Sequence, residues 1–314
     1  MRIAIIDIGT NTFNLLIADL VQRQGFNTVY KSNLPVKLGQ GGINNKNITD
    51  EAYARGVDAI KFHYESIIEH KADEIYAYAT SAIRSANNGI SFVNTIFEKF
   101  GLNINIISGD EEAQLIYEGI KMAIGMSEKR DLIMDIGGGS VEFIIANKNE
   151  IFWKKSYPLG IARLLDKYKP SNPITQNEIS EIESYLESHL DELFSEAKKY
   201  SITKLLGSSG SFDTFASMVS FSRHKEDYTK HIISYKIEIE EFSNLHGILI
   251  RSTLAERANM EGLEPMRIEM IVLSSIFVNL VLNKLKVSQI YQSSYAIKEG
   301  VLFNFLKRKR IVTI

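Results

Sequence analysis

The apolar residues of this 314-residue chain form two successive series of strand-like and helix-like runs. Each series begins with three short runs of the kind that forms strands, and then alternates between helical and extended periodicity. In the first half we predict strands at Arg2–Ile6, Asn14–Leu20, Asn27–Leu34, Glu74–Ala79 and Ile104–Ile107, and helices at Thr49–His70, Asn87–Phe100 and Asp110–Ile124. A polar turn at residues 22–25 joins the second and third strands.

The second half repeats this order of elements. We predict strands at Leu132–Asp135, Val141–Ala146, Glu150–Tyr157, Lys204–Leu206 and Gln289–Gln292. Thr175 and Glu178 have the spacing of a capping box, which predicts the start of a long helix. Residues 222–264 are charged and are predicted to be mostly helical, Pro265 to begin an apolar helix, and Ile297–Lys307 to form the last helix.

A three-strand meander followed by alternating helices and strands, present twice, resembles the group that includes actin, sugar kinases and heat-shock ATPases. The resemblance implies an α/β fold of two duplicated ribonuclease H-like domains. Each would hold a mixed five-stranded sheet with flanking helices, and a cleft would lie between them. We place the domains at residues 1–124 and 125–314, with the last helix able to pack back on the first domain. A shared fold does not by itself assign a reaction.

Two similar motifs, 128 residues apart from Asp7 to Asp135, stand at the same place in each half. They are Asp7-Ile8-Gly9-Thr10-Asn11-Thr12 and Asp135-Ile136-Gly137-Gly138-Gly139-Ser140. Each predicts a buried strand, an aspartate near its end, a tight glycine turn and a second strand. Backbone amides and hydroxyls in such a turn can bind an anion, and the aspartate can hold a hydrated cation. A single copy is equally compatible with an ordinary hairpin, but the duplication predicts a phosphate-binding cleft between two loops.

Two further residues at strand-to-helix junctions are candidates for chemistry. Arg84 could bind phosphate oxygens with its guanidinium fork, although taken alone it is also compatible with a surface position. Ser108 and Glu111 fit a capping box, which leaves Glu112 without a structural role and makes it a candidate base for an attacking water. Favourable interaction with the helix dipole is the alternative for Glu112.

A third loop precedes a predicted helix and is a candidate anion site. It consists of Gly207, Ser208, Ser209 and Gly210. Glycine turns before helices bind anions through the free backbone amides at the helix start. Because such turns are frequent, this loop is a less specific indication than the duplicated motifs.

Composition limits the classes of function. The net charge of −2 gives no overall attraction to nucleic acid or membrane, so a polyanionic ligand would need local positive charge. The chain has no cysteine, which excludes disulfides and thiolate metal sites, and its six histidines have no metal-binding spacing. The first residues enter a strand without a signal-peptide pattern, and no apolar run is long enough to span a bilayer. We therefore expect a cytoplasmic protein with no DNA or membrane partner.

Five ordered motifs together resemble the bacterial exopolyphosphatase and guanosine pentaphosphate phosphohydrolase family, in its short two-domain form. They are the two aspartate loops, Leu38-Gly39-Gln40-Gly41, Ala79-Thr80-Ser81-Ala82-Ile83-Arg84-x-Ala86-Asn87 and Ser108-Gly109-x-Glu111-Glu112-Ala113. Leu159-Gly160-x-x-Arg163-Leu164 and the loop at residues 207–210 are similar to later motifs of the family. The resemblance covers the whole chain.

The resemblance implies Mg²⁺-dependent release of a terminal phosphate from polyphosphate or from guanosine pentaphosphate. Glu112 matches the general base, and Asp7 and Asp135 match the residues that organise Mg²⁺. The scissile phosphate would be held by Arg84 and by the two loops, that is by Gly9, Thr10, Asn11, Thr12, Gly137, Gly138, Gly139 and Ser140. Neutralising phosphate charge and aligning water for in-line attack is most of what such a reaction requires.

Three departures from the family pattern bear on these expectations. Threonines replace the usual serines at Thr10 and Thr12 and keep the hydroxyls. Lys298, in the run Ala296–Gly300, stands where the family often has an arginine, which puts a supporting contact in doubt. The mildly acidic protein lacks an obvious lysine track for a long phosphate chain, which weakly favours a short or nucleotide substrate.

A homodimer is one expectation for the assembly of this protein. The rival hypothesis of another functional class is a non-catalytic sensor of polyphosphate or alarmone, although a sensor needs no general base.

Overall fold

The first sheet of the computed structural model has five strands, as predicted. The structure describes residues 1–21 and 25–311, so residues 22–24 of the predicted turn lie outside the described residues. The strands are β1 (Arg2–Ile8), β2 (Thr12–Val21), β3 (Gly25–Pro35), β4 (Glu74–Ala79) and β5 (Ile104–Ile106). Their order is β3-β2-β1-β4-β5, with β1, β2 and β3 antiparallel and β1, β4 and β5 parallel. Four helices belong to this half: α1 (Asp50–Glu69), α2 (Ser81–Ser85), α3 (Gly89–Phe100) and α4 (Gly109–Ala123).

The second sheet repeats the first and adds a strand. Its members are β6 (Asp131–Ile136), β7 (Val141–Ala146), β8 (Ile151–Tyr157), β9 (Lys204–Ser208), β10 (Ser234–Ile237) and β11 (Gln289–Ser293). Their order is β10-β11-β9-β6-β7-β8. The helices are α5 (Ile161–Tyr168), α6 (Gln176–His189), α7 (Asp191–Ala197), α8 (Ser209–His224), α9 (Ile239–Leu249), α10 (Leu254–Arg257), α11 (Ile271–Leu285) and α12 (Ile297–Ile311). The two duplicated ribonuclease H-like units and the mixed sheets confirm the predicted fold class.

Four details of the second half differ from the sequence-based expectation. The prediction of five strands in this sheet was wrong, because β10 pairs antiparallel with β11 as a sixth strand. Tyr235 and Ile237 point into the core on one side of β10 while Lys236 is exposed, so the alternation is present but only four residues long. The long helix after Thr175 is two helices, separated at Leu190, and α5 was not predicted. Pro265 begins a separate 3₁₀ turn that ends before α11.

Helices α4 and α12 lie side by side between the two sheets and cross from one half to the other. Helix α4 packs on β7 and β8 of the second half, and α12 packs on β1 and β3 of the first. Their backbones approach closely, since a Cβ on Gly119 would lie 2.1 Å from the Ala296 oxygen and one on Gly300 would lie 2.0 Å from the Leu115 oxygen. The domain boundary at residue 124 stays a prediction.

Apolar side chains from both sheets bury this helix pair in one cluster, with further cores on the outer face of each sheet. The central cluster includes Ile3, Leu16, Ile116, Ile133, Ile144 and Val301. Lys307 of α12 also contacts both carboxylate oxygens of Glu118, at 2.9 and 2.8 Å. No helix among the described residues combines the length and apolarity needed to cross a bilayer. The central packing presents the loops after β1 and β6 to one another.

Candidate active site

The two duplicated loops line one cleft between the halves. The lining includes the predicted phosphate-binding residues Gly9, Thr10, Asn11, Thr12, Gly137, Gly138, Gly139 and Ser140. Both loops make the same turn, because the Gly9 amide donates to the Thr12 oxygen and the Gly137 amide donates to the Ser140 oxygen, each at 3.0 Å. The structure therefore brings together all eight residues that the motifs singled out.

The loops approach so closely that side chains are excluded at two glycines. A Cβ on Gly139 would lie 2.5 Å from the Thr10 hydroxyl oxygen and 2.6 Å from that of Ser81. A Cβ on Gly160, just before α5, would lie 2.3 Å from the carbonyl carbon and oxygen of Gly138. The second loop is thus held between the first loop and the start of α5.

Replacement of Gly160 by alanine is expected to push the second loop out of place. A displacement of this kind can reduce turnover by about 10²-fold, because the reacting groups lose their alignment. Steady-state kinetics would measure the effect, and the thermal unfolding transition would show whether the variant folds. Gly125→Ala is the matched control, since nothing lies within 4 Å of the position that its Cβ would take. Normal turnover in Gly160→Ala would show that the loop tolerates the shift.

Asp7 and Asp135 occupy equivalent positions on β1 and β6 and line the same cleft. Burial raises the pKa of both carboxyl groups. Asp7 accepts a hydrogen bond from the Asn14 amide at 3.1 Å. Asp135 accepts hydrogen bonds from Ser208 and from Ser209, the latter at 2.7 and 2.8 Å. These serine hydroxyls of the third loop are therefore oriented towards Asp135.

Glu112 and its neighbour Glu111 have different environments in the first turn of α4. The capping box is confirmed, because Glu111 accepts from the Ser108 amide at 2.8 Å and the Ser108 hydroxyl accepts from the Glu111 amide at 3.2 Å. Glu112 is only 5% exposed and lines the cleft. Burial raises the pKa of Glu112 to about 7, although Arg84 opposes the shift. Such a carboxyl exchanges a proton near neutral pH.

Arg84 is bound to Glu112 and is not a free surface residue. Its Nη1 atom donates to the Glu112 carboxylate and to the Ile107 carbonyl oxygen, each at 2.8 Å. The arginine lines a hollow on the other side of Glu112 and is not among the residues that line the cleft. Arg84 therefore lies beside the cleft, where its positive charge contacts the carboxylate of Glu112.

Arg163, which lies in the motif at residues 159–164, connects three segments of the chain. Its Nε donates to the Gly139 oxygen at 2.7 Å, its Nη1 to the Ile43 oxygen at 2.9 Å and its Nη2 to the Ser85 hydroxyl at 3.0 Å. The second of the duplicated loops is thereby joined to the glycine loop of the first half and to α2, which carries Arg84.

Four charged residues near the centre were not recognised as candidates from the sequence. They are Glu142, Asp213, Arg267 and Lys298. Lys298 was noted only as a departure from a family pattern, but it lines the cleft. Burial lowers the pKa of Lys298, yet attraction by Glu299, Asp7 and Asp213 outweighs burial and the net pKa is raised. The unusual lysine was the signal that could have identified it.

The other three residues lie on segments that carry no recognisable motif. Arg267 is 9% exposed and its buried Nε has no hydrogen-bond partner among the described residues. Its Nη2 lies 1.7 Å from the position that a Cβ on Gly210 would take, so the guanidinium occupies the space of a side chain at that glycine. Burial raises the pKa of Asp213 to about 6. Burial and the nearby Glu112 raise the pKa of Glu142 well above its ordinary value.

The cleft fits a hydrated divalent cation shared with phosphate. It collects the carboxyl groups of Asp7, Asp135, Glu112 and Asp213, and loss of hydration on burial raises the pKa of each. Within residues 1–21 and 25–311 no group of three or more acidic or histidine side chains forms a closed metal cage. Mg²⁺ commonly keeps several waters and uses one or two carboxylates together with substrate phosphates.

Comparisons with known proteins agree on one family. The model of the Ppx/GppA phosphatase family matches residues 16–309. A putative exopolyphosphatase of Haemophilus influenzae is 26% identical over 314 residues, covering 100% of this chain and 94% of that protein. A bifunctional 3-dehydroquinate synthase/phosphatase of Fusobacterium nucleatum is 30% identical over 293 residues, which cover 89% of this chain and 43% of the relative. The chain thus spans less than half of that relative's length.

Solved structures share the whole architecture. An exopolyphosphatase from Cytophaga hutchinsonii superposes with a TM-score of 0.95 at 36% identity, covering 98% of both chains. A Ppx/GppA family member from Aquifex aeolicus superposes with a TM-score of 0.80 at 21% identity, again over 98% of both chains, which supports the fold.

Proposed function

We propose that this chain, which belongs to the Ppx/GppA phosphatase family and is a hydrolase, releases terminal orthophosphate from inorganic polyphosphate. The observation that supports the proposal is the cleft itself, where two copies of one glycine turn lie together beside the buried Glu112. Relatives named exopolyphosphatase match nearly the full chain. The narrow, polar cleft suits a chain of phosphate groups.

Glu112 acts as the general base in this proposal. A pKa of about 7 leaves a large fraction of the carboxylate able to accept a proton from water near neutral pH. The water oxygen attacks the terminal phosphorus, its proton passes to Glu112, and the bridging P–O bond breaks. The shortened chain leaves with the bridging oxygen and its negative charge.

The loop amides and Arg84 stabilise the charge on the transferred phosphoryl group. The loops present backbone N–H groups and the hydroxyls of Thr10, Thr12 and Ser140 to the cleft. Arg84 lies within hydrogen-bonding distance of Glu112. Its positive charge both orients the base and opposes the rise in its pKa.

Asp7 and Asp135 would hold Mg²⁺ in this arrangement. The bound ion would supply charge neutralisation for the phosphate oxygens. Ser208 and Ser209 fix the orientation of Asp135 by donating hydrogen bonds to it. We assign the third loop this supporting role, and Gly210 lines the cleft next to these serines.

A second candidate function is the hydrolysis of guanosine pentaphosphate, which a neighbouring cavity favours. A cavity of about 400 Å³ meets the cleft at Asn11. Its walls include apolar Leu165, Ile174 and Val272 together with Lys37. An apolar cavity beside a phosphate site has room for a nucleoside, whereas a bare phosphate chain makes no use of apolar walls.

The proposed function is tested by measuring phosphate release from long-chain polyphosphate, tripolyphosphate and guanosine pentaphosphate, with Mg²⁺ and with EDTA. We expect Mg²⁺-dependent release from polyphosphate and loss of activity in EDTA. A strong preference for the pentaphosphate would support the second candidate. Tight binding of all three without release would instead support a sensor that does not turn over, and activity in EDTA would contradict the metal assignment.

A further inference from the structure

A second hollow adjoins the catalytic cleft, and Arg84 lines the hollow while Glu112 lines the cleft. We call it the rear hollow. It has a volume of about 490 Å³ and shares Ser81 and Ser140 with the cleft. The two spaces are therefore separated by a wall that consists of these serines and the ion pair. Residues of the family motifs line the rear hollow, among them Arg84, Ser108 and Arg163, but the proposed mechanism gives the space itself no role.

The charges of the two spaces have opposite sign. The rear hollow is lined by the cationic side chains of Arg84, Lys155 and Arg163, against the single carboxylate of Asp110 among its described lining residues. In contrast, the described lining of the catalytic cleft combines four carboxyl groups with two cationic side chains. A free phosphate anion is thus electrostatically favoured in the rear hollow.

Hydroxyl groups complete a lining that suits an oxyanion. The side chains are those of Ser81, Ser85, Ser108, Ser140 and Ser156. Three of these hydroxyls already donate to other groups, Ser85 to the Ser81 carbonyl oxygen at 2.7 Å, Ser108 to Glu111 at 2.8 Å and Ser156 to Glu142 at 2.6 Å, so they would have to turn towards a bound anion. Lys155, at the mouth of the hollow, forms an ion pair with Glu192. Both side chains are about half exposed to water, so the ion pair is weak.

The direction of the reaction places the product next to this hollow. In-line displacement requires the attacking water on the Glu112 side and the leaving chain on the opposite side of the phosphorus. After cleavage, orthophosphate is the group nearest Glu112, while the shortened chain still occupies the cleft. Arg84, which holds Glu112, is also part of the hollow. The hollow is therefore a cationic space that adjoins the base through Arg84.

We infer that the rear hollow is an orthophosphate-binding vestibule through which the product leaves while the shortened chain stays in the cleft. This inference rests on the proposed function, since it assumes that orthophosphate forms beside Glu112. It assigns Lys155 as a phosphate-binding residue at the mouth of the vestibule. Passage requires the Ser81 and Ser140 side of the wall and the Arg84 side chain to move.

The test measures inhibition of polyphosphate hydrolysis by inorganic phosphate in the full-length protein and in Lys155→Glu. For the unmodified protein we expect noncompetitive inhibition, because phosphate and chain would occupy different spaces. Reversing one exposed charge should raise the inhibition constant for phosphate about three- to tenfold, with KM for polyphosphate unchanged. Lys148→Glu is the matched control, since this lysine also forms an exposed pair with a glutamate, far from the hollow.

Equilibrium dialysis with labelled orthophosphate gives a second readout that does not depend on turnover. Weaker binding in Lys155→Glu than in Lys148→Glu would support the vestibule even if polyphosphate were not the substrate. Competitive inhibition in the unmodified protein, or equal phosphate binding in both variants, would overturn it. Absence of hydrolysis with phosphate binding intact would contradict only the proposed function. Lys155→Gln provides a milder change if the charge reversal impairs folding.

Discussion

Replacing Glu112 with glutamine is expected to reduce kcat by about 10²–10⁴-fold, which is the usual contribution of a general base. The amide has nearly the same shape as the carboxyl group but cannot accept the proton of the attacking water. Arg84 would remain in place, because the amide oxygen can still accept its hydrogen bond. The phosphate loops are untouched, so the substrate should bind as before.

The measurement combines steady-state turnover with direct binding of polyphosphate to the variant. Glu111→Gln is the matched control, because glutamine preserves the capping box that Glu111 forms with Ser108. We expect normal turnover in this control. Turnover of Glu112→Gln within a few-fold of the unmodified protein would refute the assignment of the base.

Replacing Arg84 with alanine is expected to lower kcat/KM by about 10³-fold or more, as removal of an arginine that stabilises phosphoryl-transfer charge does. In the proposed mechanism the loss has two sources, because Arg84 would add positive charge beside the phosphate and would orient Glu112 through their hydrogen bond. Weaker binding and a lower kcat should both appear. Arg130→Ala is a suitable control, since Arg130 stacks on the ring of Phe152 outside the cleft.

The pH profile separates the two effects of Arg84. The base works in its deprotonated form, so activity should fall as pH drops below about 7, the pKa of Glu112. Because Arg84 lowers that pKa, its removal should move the acidic limb of the profile to higher pH. Arg84→Lys keeps the charge and should leave the limb close to its original position. An unchanged limb in Arg84→Ala would show that Arg84 does not control the base.

Local features of the chain were predictable because their causes are local. Strand and helix periodicity placed nearly all elements of the first half within a few residues, and the repeat of Asp7 at Asp135 identified a duplicated fold. Capping boxes depend on residues three positions apart, so those at Ser108 and Thr175 were also correct. The same reasoning missed β10, since four alternating residues within a charged segment do not distinguish a strand from a helix.

The cleft shows the division between sequence and structure most clearly. The eight loop residues were identified because both copies carry the same turn chemistry within a few residues. The partners of those loops were not, since Arg163 reaches Ile43 across 120 positions of the chain and Ser208 reaches Asp135 across 73. The first contact forms only when the two halves close on each other, and the second only when β9 pairs with β6 in the second sheet.

By itself the sequence determined the duplicated fold class, the two glycine loops and the capping role of Glu111, because periodicity, glycine turns and helix caps act over a few residues. The tertiary structure alone decided which charges meet. It buried Glu112 against Arg84, brought Lys298 into the same cleft as Asp7 and Asp213, and divided the acidic cleft from the cationic rear hollow. Burial and the distances between charges determine a pKa, and both arise only when distant segments pack together.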